Sequence, residues 1–351
     1  MRIAQVAPLF ESVPPKYYGG TERVVSYLTE ALVKLGHDVT LYASGDSVTA
    51  ARLRPVCPHS LRMDEQSVDP VADHVYLAET VFRESEGVDV IHSHIEYIAY
   101  PLLRRMHTPH LTTLHGRLDI PNLVNLYREF SDIPLVSICD FQRRPLPWVN
   151  WLGTVYHGLP KNLYTFFPRP GKYLAFLGRL SPEKRPDLAI EIARTAGIPL
   201  KIAAKVDKSD RAYFKNVVEP LLDPPDIEFI GEIGDAEKNE FLGNAMALLF
   251  PIDWPEPFGL VMIEAMACGT PVIARRCGSV PEVIQPETGF VFEDSAGAVR
   301  AIQQLDKFDR KRCRAVFEEK FTDARMANDY LKLYELVRAQ GVAHEPELLT
   351  G

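Results

Sequence analysis

The chain has 351 residues, 46% of them hydrophobic and 25% charged, which is ordinary globular material with enough length for two cores. Its net charge of −8 is shared evenly: residues 1–160 hold 14 Lys+Arg against 18 Asp+Glu, and the remainder 25 against 29. Neither half carries a basic field, so nucleic acid is not an expected partner, and firm docking on an anionic membrane, which relies on clustered Lys and Arg, is disfavoured.

The opening "MRIAQVAPLF" turns polar at once with "ESVPPKYYGG" and lacks the charged start, long apolar run and small-residue site of a signal peptide. The first half then alternates β-rich runs ("RIAQVAP", "DVTLYAS", "VDVIHSH", "HLTTLH", "PLVSIC" and "GTVYH") with helical patterns. The clearest helix is "TERVVSYLTEALVKLG", where Val24, Val25, Leu28, Leu32 and Leu35 recur at three- and four-residue steps and Gly36 suits the stop. Gly19 and Gly20 precede it, with Thr21 as the expected N-cap. Glycine there exposes backbone N–H groups and permits close approach of an anion or a sugar oxygen.

Around 161–172 the alternation pauses in the Pro- and aromatic-bearing "KNLYTFFPRPGK", a linker, and then restarts with "YLAFLG", "LKIAAKV", "IEFIG", "ALLFP", "PVIAR" and "GFVF" separated by helices. Strand–helix alternation implies parallel sheets covered by helices, so the expected architecture is α/β, with two doubly wound Rossmann-like domains facing across a deep cleft. The domains are placed at 1–160 and 161–325, with a helix at 326–351 returning to the first. No apolar run of roughly 18 residues is present to span a membrane. The five cysteines are odd in number and contain no CxxC pair, as expected of reduced thiols in a cytoplasmic protein.

Chemistry is concentrated at predicted strand ends. "YLAFLG" runs into "GRLSPEKRPD", where Gly178 permits a sharp turn and Arg179 and Lys184 are placed to hold a diphosphate, each charge-assisted bond contributing about 1.5–3 kcal/mol. Two solvated cations at a helix entrance would look the same. There is no Walker motif and no GxGxxG fingerprint. His92 and His94 share a strand face, but no third ligand and no DxD pair support a metal, and none is expected. His115 and His157 also follow predicted strands.

The stretch "WPEPFGLVMIEAMACGTPV" holds Glu256 and Glu264 in otherwise apolar surroundings. On one helix, eight residues would separate them by roughly 12 Å, too far for the roughly 5 Å of a retaining glycosidase pair. Pro255 and Pro257 place Glu256 in a loop before the helix that carries Glu264. Two separate contacts to one extended ligand fit better.

Taken together, "GRLSPEK", "EPFGLVMIEAMACGTPVIA" with its E-x7-E spacing, and "GSVPEVI…TGFVF" resemble the retaining glycosyltransferases of family 4, which have the GT-B fold. The resemblance covers almost the whole chain and is strongest from Gly178 to Phe292. Within the family the chain is similar to short bacterial members, among them glucosyltransferases acting on tetrahydrobiopterin.

The resemblance implies that Arg179 and Lys184 grip the donor diphosphate, Glu264 accepts from the ribose hydroxyls, and Glu256 faces the donor sugar. It places the amides of Phe258, Gly259 and Leu260 at sugar and phosphate, Gly19 and Gly20 at phosphate and acceptor, His115 near the sugar 6-hydroxyl, and Lys205 among the donor contacts. The implied reaction is metal- and cofactor-independent transfer of a hexose, by default from UDP-glucose, with retention and front-face attack, to a small-molecule or glycan hydroxyl. Three positions depart from the family pattern: His157 replaces a common asparagine, and Ser279 and Arg185 stand where glycine is usual. A sugar-nucleotide 2-epimerase, a glycoside phosphorylase (which would need a pyridoxal-phosphate lysine, for which no signature is seen) and a non-catalytic sugar-nucleotide sensor are the rival readings. Acceptor choice is expected in loops such as "HGRLDIPNLVNLYREF" and "DFQRRPLPWVNW", whose Tyr and Trp could stack on a ring. Oligomeric state leaves no trace in the sequence.

Overall fold

A computed structural model describes residues 1–16, 19–62, 64 and 67–342. The chain divides into two compact units: Met1–Gly158 together with the segment from Asp323, and Leu159–Thr322.

In the first unit, seven strands form one parallel sheet: β1 (Arg2–Val6), β2 (Asp38–Ser44), β3 (Arg52–Cys57), β4 (Val90–Ser93), β5 (His110–Thr113), β6 (Leu135–Ser137) and β7 (Trp151–Thr154), in the order β3-β2-β1-β4-β5-β6-β7. The order reverses between β1 and β4. Such a switch point leaves a crevice beyond the carboxyl ends of the two strands, where ligands of open α/β sheets bind.

The helix Gly20–Lys34 buries Val24, Val25, Leu28 and Leu32, each worth roughly 1.5–3 kcal/mol relative to exposure. The helix Asp323–Val342 buries Met326, Tyr330, Tyr334 and Val337, one stripe at three- and four-residue spacing, and packs on Gly20–Lys34 and on β4 and β5. No helix among the described residues is long and apolar enough to cross a membrane.

Two sequence expectations need correction in this unit. Thr21 is not the N-cap: the helix starts at Gly20, and it is Gly19 whose carbonyl accepts from Arg23 N–H at 3.3 Å. The last strand spans Trp151–Thr154 rather than 153–157, so His157 lies beyond it. The strand β3 had no place among the expected ones. It returns parallel to β2 through residues 45–51 without a crossover helix, and it carries Pro55, as an edge strand can.

The second unit holds six parallel strands: β8 (Tyr173–Arg179), β9 (Leu200–Lys205), β10 (Ile227–Gly231), β11 (Ala245–Phe250), β12 (Val272–Arg275) and β13 (Gly289–Phe292), in the order β10-β9-β8-β11-β12-β13. Its switch point lies between β8 and β11. Arg179 ends β8, and the segment carrying Trp254, Glu256 and Phe258 follows β11. The topology therefore delivers both halves of the candidate donor motif to one crevice.

Candidate active site

In the second unit, Arg179 and Lys205 are register partners at the ends of β8 and β9. They do not stand as bare cations. Arg179 is ion-paired with Glu183 and lies 3.5 Å from Asp210 and 3.9 Å from Asp207, while Lys205 Nζ is 3.1 Å from Asp207. Two positive charges thus face three carboxyls. Burial raises the Asp210 carboxyl above its usual range, with Arg179's charge opposing the shift. Asp207 and Asp210 were not legible beside Arg179, since their run "KVDKSD" reads as a polar loop, and Glu183 was passed over within "GRLSPEKRPD".

Lys184 and Glu256, expected as separate contacts, come together. The Lys184 ammonium is ion-paired with the Glu256 carboxylate, with side-chain exposures of 13% and 11%. The same ammonium sits 4.8 Å from the Trp254 ring centroid and 5.6 Å from that of Phe250, a cation–π arrangement. Trp254 Nε1–H donates to Glu256 Oε2 at 2.8 Å. Trp254, two residues before Glu256 and passed over in the sequence reading, thus touches both charged partners. Glu264 lies in the helix Leu260–Ala267, as expected, is buried, and has its own partner in Lys238 Nζ at 3.5 Å, which also meets Asp235 at 3.3 Å.

The turn into that helix passes through Gly259 in the left-handed region (φ +80°), and Gly278 (φ +56°), beyond β12, lies directly against the Pro255–Glu256 backbone that leads into it. Ser279 N–H donates to Glu256 O at 3.0 Å, and its Oγ donates to Phe258 O at 2.7 Å. Ser279 therefore fastens the loop on both sides of Pro257, which gives this departure a structural role. Met262 N–H donates to Gly259 O at 3.0 Å, while the amides before it, as at any helix start, lack intrahelical acceptors and attract anions.

Arg185 is the second departure. It adopts φ +53°, ψ +51°, the conformation that favours glycine, and caps the helix Pro186–Ala196. It also pairs with Asp187 at 2.9 Å and Asp253 at 3.5 Å. Arg185→Gly is expected to leave stability within about 1 kcal/mol of the parent. Relief of about 1–2 kcal/mol of left-handed strain offsets two half-exposed ion pairs worth about 0–1 kcal/mol each and the freer unfolded chain. Thermal unfolding checks this, and a loss of more than about 2 kcal/mol would assign the turn to the ion pairs.

In the first unit, Gly19 and Gly20 differ. A Cβ at Gly19 would stand 2.8 Å from Pro15 Cβ, whereas one at Gly20 meets nothing within 4 Å. His115 follows β5. Its N–H and that of Gly116 donate to Glu96 Oε1 at 2.9 and 3.0 Å, and its ring stacks on His157 with centroids 5.4 Å apart. Burial lowers the pKa of His115 to about 3 and holds His92, His94 and His157 well below the usual range, so all four imidazoles are neutral. The ring nitrogens of His92 and His94 are engaged by Thr113, Tyr334, Gln5 and His115. Of the aromatic residues expected to stack on an acceptor, Tyr127 is a core residue with no exposed surface, because its helix turns it inward. Trp148 is 41% exposed, with Arg128 over its ring at 5.9 Å.

Comparison with known proteins matches residues 18–157 to the model of Glycosyltransferase Family 4 and residues 165–316 to that of Glycosyl transferases group 1. An uncharacterized glycosyltransferase of Methanocaldococcus jannaschii is 26% identical over 216 residues, covering 57% of this chain and 60% of the relative. N-acetyl-alpha-D-glucosaminyl L-malate synthase of Bacillus anthracis is 27% identical over 368 residues, covering 90% and 93%. Anabaena HepE, solved in complex with UDP and glucose, superposes with a TM-score of 0.71 at 18% identity, covering 96% of this chain and all of that one. This chain is a glycosyltransferase of the GT-B fold, with a family 4 first half and a group 1 second half.

Proposed function

We propose that the chain transfers a hexose, with retention and without a metal, from a UDP-sugar such as UDP-glucose to a small-molecule or glycan hydroxyl in the cytoplasm. The observation that carries this reading is the placement of Arg179, Lys205, Lys184, Glu256 and the helix Leu260–Ala267 around the switch point of the second sheet. Departure of the nucleoside diphosphate leaves negative charge on its β-phosphate. Arg179, Lys184 and the helix N-terminus are preorganised to meet that charge, which is the task a divalent cation performs elsewhere. Glu264, held by Lys238, accepts from the ribose. Glu256 faces the sugar, with Lys184 and Trp254 already bonded to its carboxylate. A carboxylate so engaged is a poor nucleophile, which supports front-face attack with the leaving phosphate oxygen taking the acceptor's proton. The complex of HepE with UDP and glucose supports UDP as the donor's nucleotide. Trp148 offers a ring face to a flat acceptor such as a reduced pterin.

The test is a panel of nucleoside-diphosphate sugars, with and without EDTA, followed for nucleoside-diphosphate release, with pterins, sugars and cell extract as acceptor sources. The expected result is acceptor-dependent, EDTA-resistant release from a UDP-hexose and a product with the donor's anomeric configuration. Donor conversion without acceptor would point to an epimerase, and trapping of a glycosyl group on Glu256 would refute front-face attack.

A further inference from the structure

A line of buried hydrogen bonds runs from His115 into the first sheet, across the carboxyl ends of β5, β4 and β1. His115 Nε2 is 3.0 Å from His94 Nδ1, and His94 Nε2 is 2.9 Å from Gln5 Oε1. Beyond the amide, Gln5 Nε2 donates to Tyr334 Oη at 2.9 Å, Tyr334 Oη lies 2.7 Å from His92 Nδ1, and His92 Nε2 lies 2.7 Å from Thr113 Oγ1. Gln5 and His92 have no exposed surface, His94 is 1% exposed, and only His115 at the head of the line is part-exposed.

A neutral imidazole has one N–H and one lone pair, so each contact in the line fixes the next. Gln5 Oε1 only accepts, and the His94 nitrogen facing it carries the proton. His94 Nδ1 is then the lone pair, and the His115 Nε2 opposite must donate. On the far side, the amide N–H donates to Tyr334, whose hydroxyl turns its proton to His92. Turning the Gln5 amide over would reverse every bond and put the His115 proton on Nδ1.

We propose that Gln5 and His94 are positioning residues that hold His115 as its Nε2–H tautomer, leaving Nδ1 as an acceptor for a substrate hydroxyl. The substrate half of this statement rests on the placement of His115 at the transferred sugar; the tautomer half does not. A basic nitrogen in fixed orientation selects a hydroxyl donor at that point and disfavours a group that only accepts. The low pKa of His115 keeps this nitrogen a lone pair across the ordinary pH range.

The experiment uses the full chain with histidines labelled with nitrogen-15, His115 being assigned by the signals lost in His115→Gln. Long-range proton–nitrogen correlation at neutral pH is expected to show His115 with a protonated Nε2 and a bare Nδ1. A proton on Nδ1, or on both nitrogens, would overturn the proposal on the unmodified protein alone. Gln5→Leu is expected to turn His115 into a mixture of tautomers and to lower kcat/KM by about tenfold, the equivalent of one hydrogen bond. Tyr334→Phe, which removes the partner that orients the amide, should give the same mixture by a gentler change. An unchanged His115 pattern in both folded variants would overturn the role of Gln5. The expected tautomer together with normal transfer by His115→Gln would overturn the substrate half and leave the relay standing.

Discussion

Lys184→Ala is expected to lower donor turnover by about 10²–10³-fold, the usual consequence of removing one preorganised charge from a developing oxyanion. The substitution does two things at once. It takes away a cation that the reading places at the leaving diphosphate, and it leaves the Glu256 carboxylate with Trp254 Nε1–H and no ion-pair partner. Most of the loss should fall on kcat, because the charge on the β-phosphate grows as the bond to the sugar breaks and an interaction stronger in the transition state acts there. Lys184→Arg should not restore the rate, since a planar fork cannot occupy the compact position of an ammonium over the Trp254 ring. Steady-state kinetics with thermal unfolding as a control check both variants. Turnover within threefold of the parent, in a protein that unfolds normally, would refute the assignment of Lys184 to the leaving group.

How much of this was legible before the structure depended on whether neighbours along the chain or across the fold did the work. The double α/β architecture could be read because Val24, Val25, Leu28 and Leu32 repeat with a helix's period, and because β8 through β13 are short apolar runs between helical patterns. Strand β3 could not, because its connection carries no helix and its sequence "RLRPVC" mixes arginine and proline into the run. The site divides in the same way. Glu256 before a helix and Glu264 within it follow from the prolines and the spacing. That Lys184 and Glu256 would form one ion pair does not, since they are 72 residues apart and meet only because β8 and β11 are neighbours. Gln5 is hidden for a related reason. One polar residue in "RIAQV" gives no signal of a partner 89 residues away in sequence at His94, or of Tyr334 on the last helix. Buried polar contacts of this kind are settled by tertiary packing, and a single sequence shows only that such residues must find partners if they are buried.

Gly278→Ala should damage the site from outside the set of ligand-contacting residues, through Glu256. Gly278 has φ +56°, where an alanine costs about 1–2 kcal/mol. The larger penalty is steric. A Cβ there would stand 2.3 Å from Glu256 O, 2.5 Å from Glu256 N and 2.9 Å from Pro255 C. All three are backbone atoms in a proline-flanked loop, so no side chain can swing aside, and the loop itself has to move by about 1 Å to restore ordinary contact. That movement pulls on the Ser279 N–H bond to Glu256 O and on the Ser279 Oγ bond to Phe258 O, the two fastenings that tie the loop to the segment after β12. The expected cost is about 2–4 kcal/mol of stability, read as a fall in melting temperature of about 2–4 °C per kcal/mol for a domain of this size. At temperatures where the variant is still folded, turnover should drop by about 10²-fold, because a displacement of about 1 Å at a positioning group is enough for that. Gly20→Ala is the matched comparison, since a Cβ there meets nothing within 4 Å and stability should stay close to the parent's. A folded Gly278→Ala variant with full activity would show that the position of Glu256 can shift without consequence, and Glu256 would then have to leave the catalytic set.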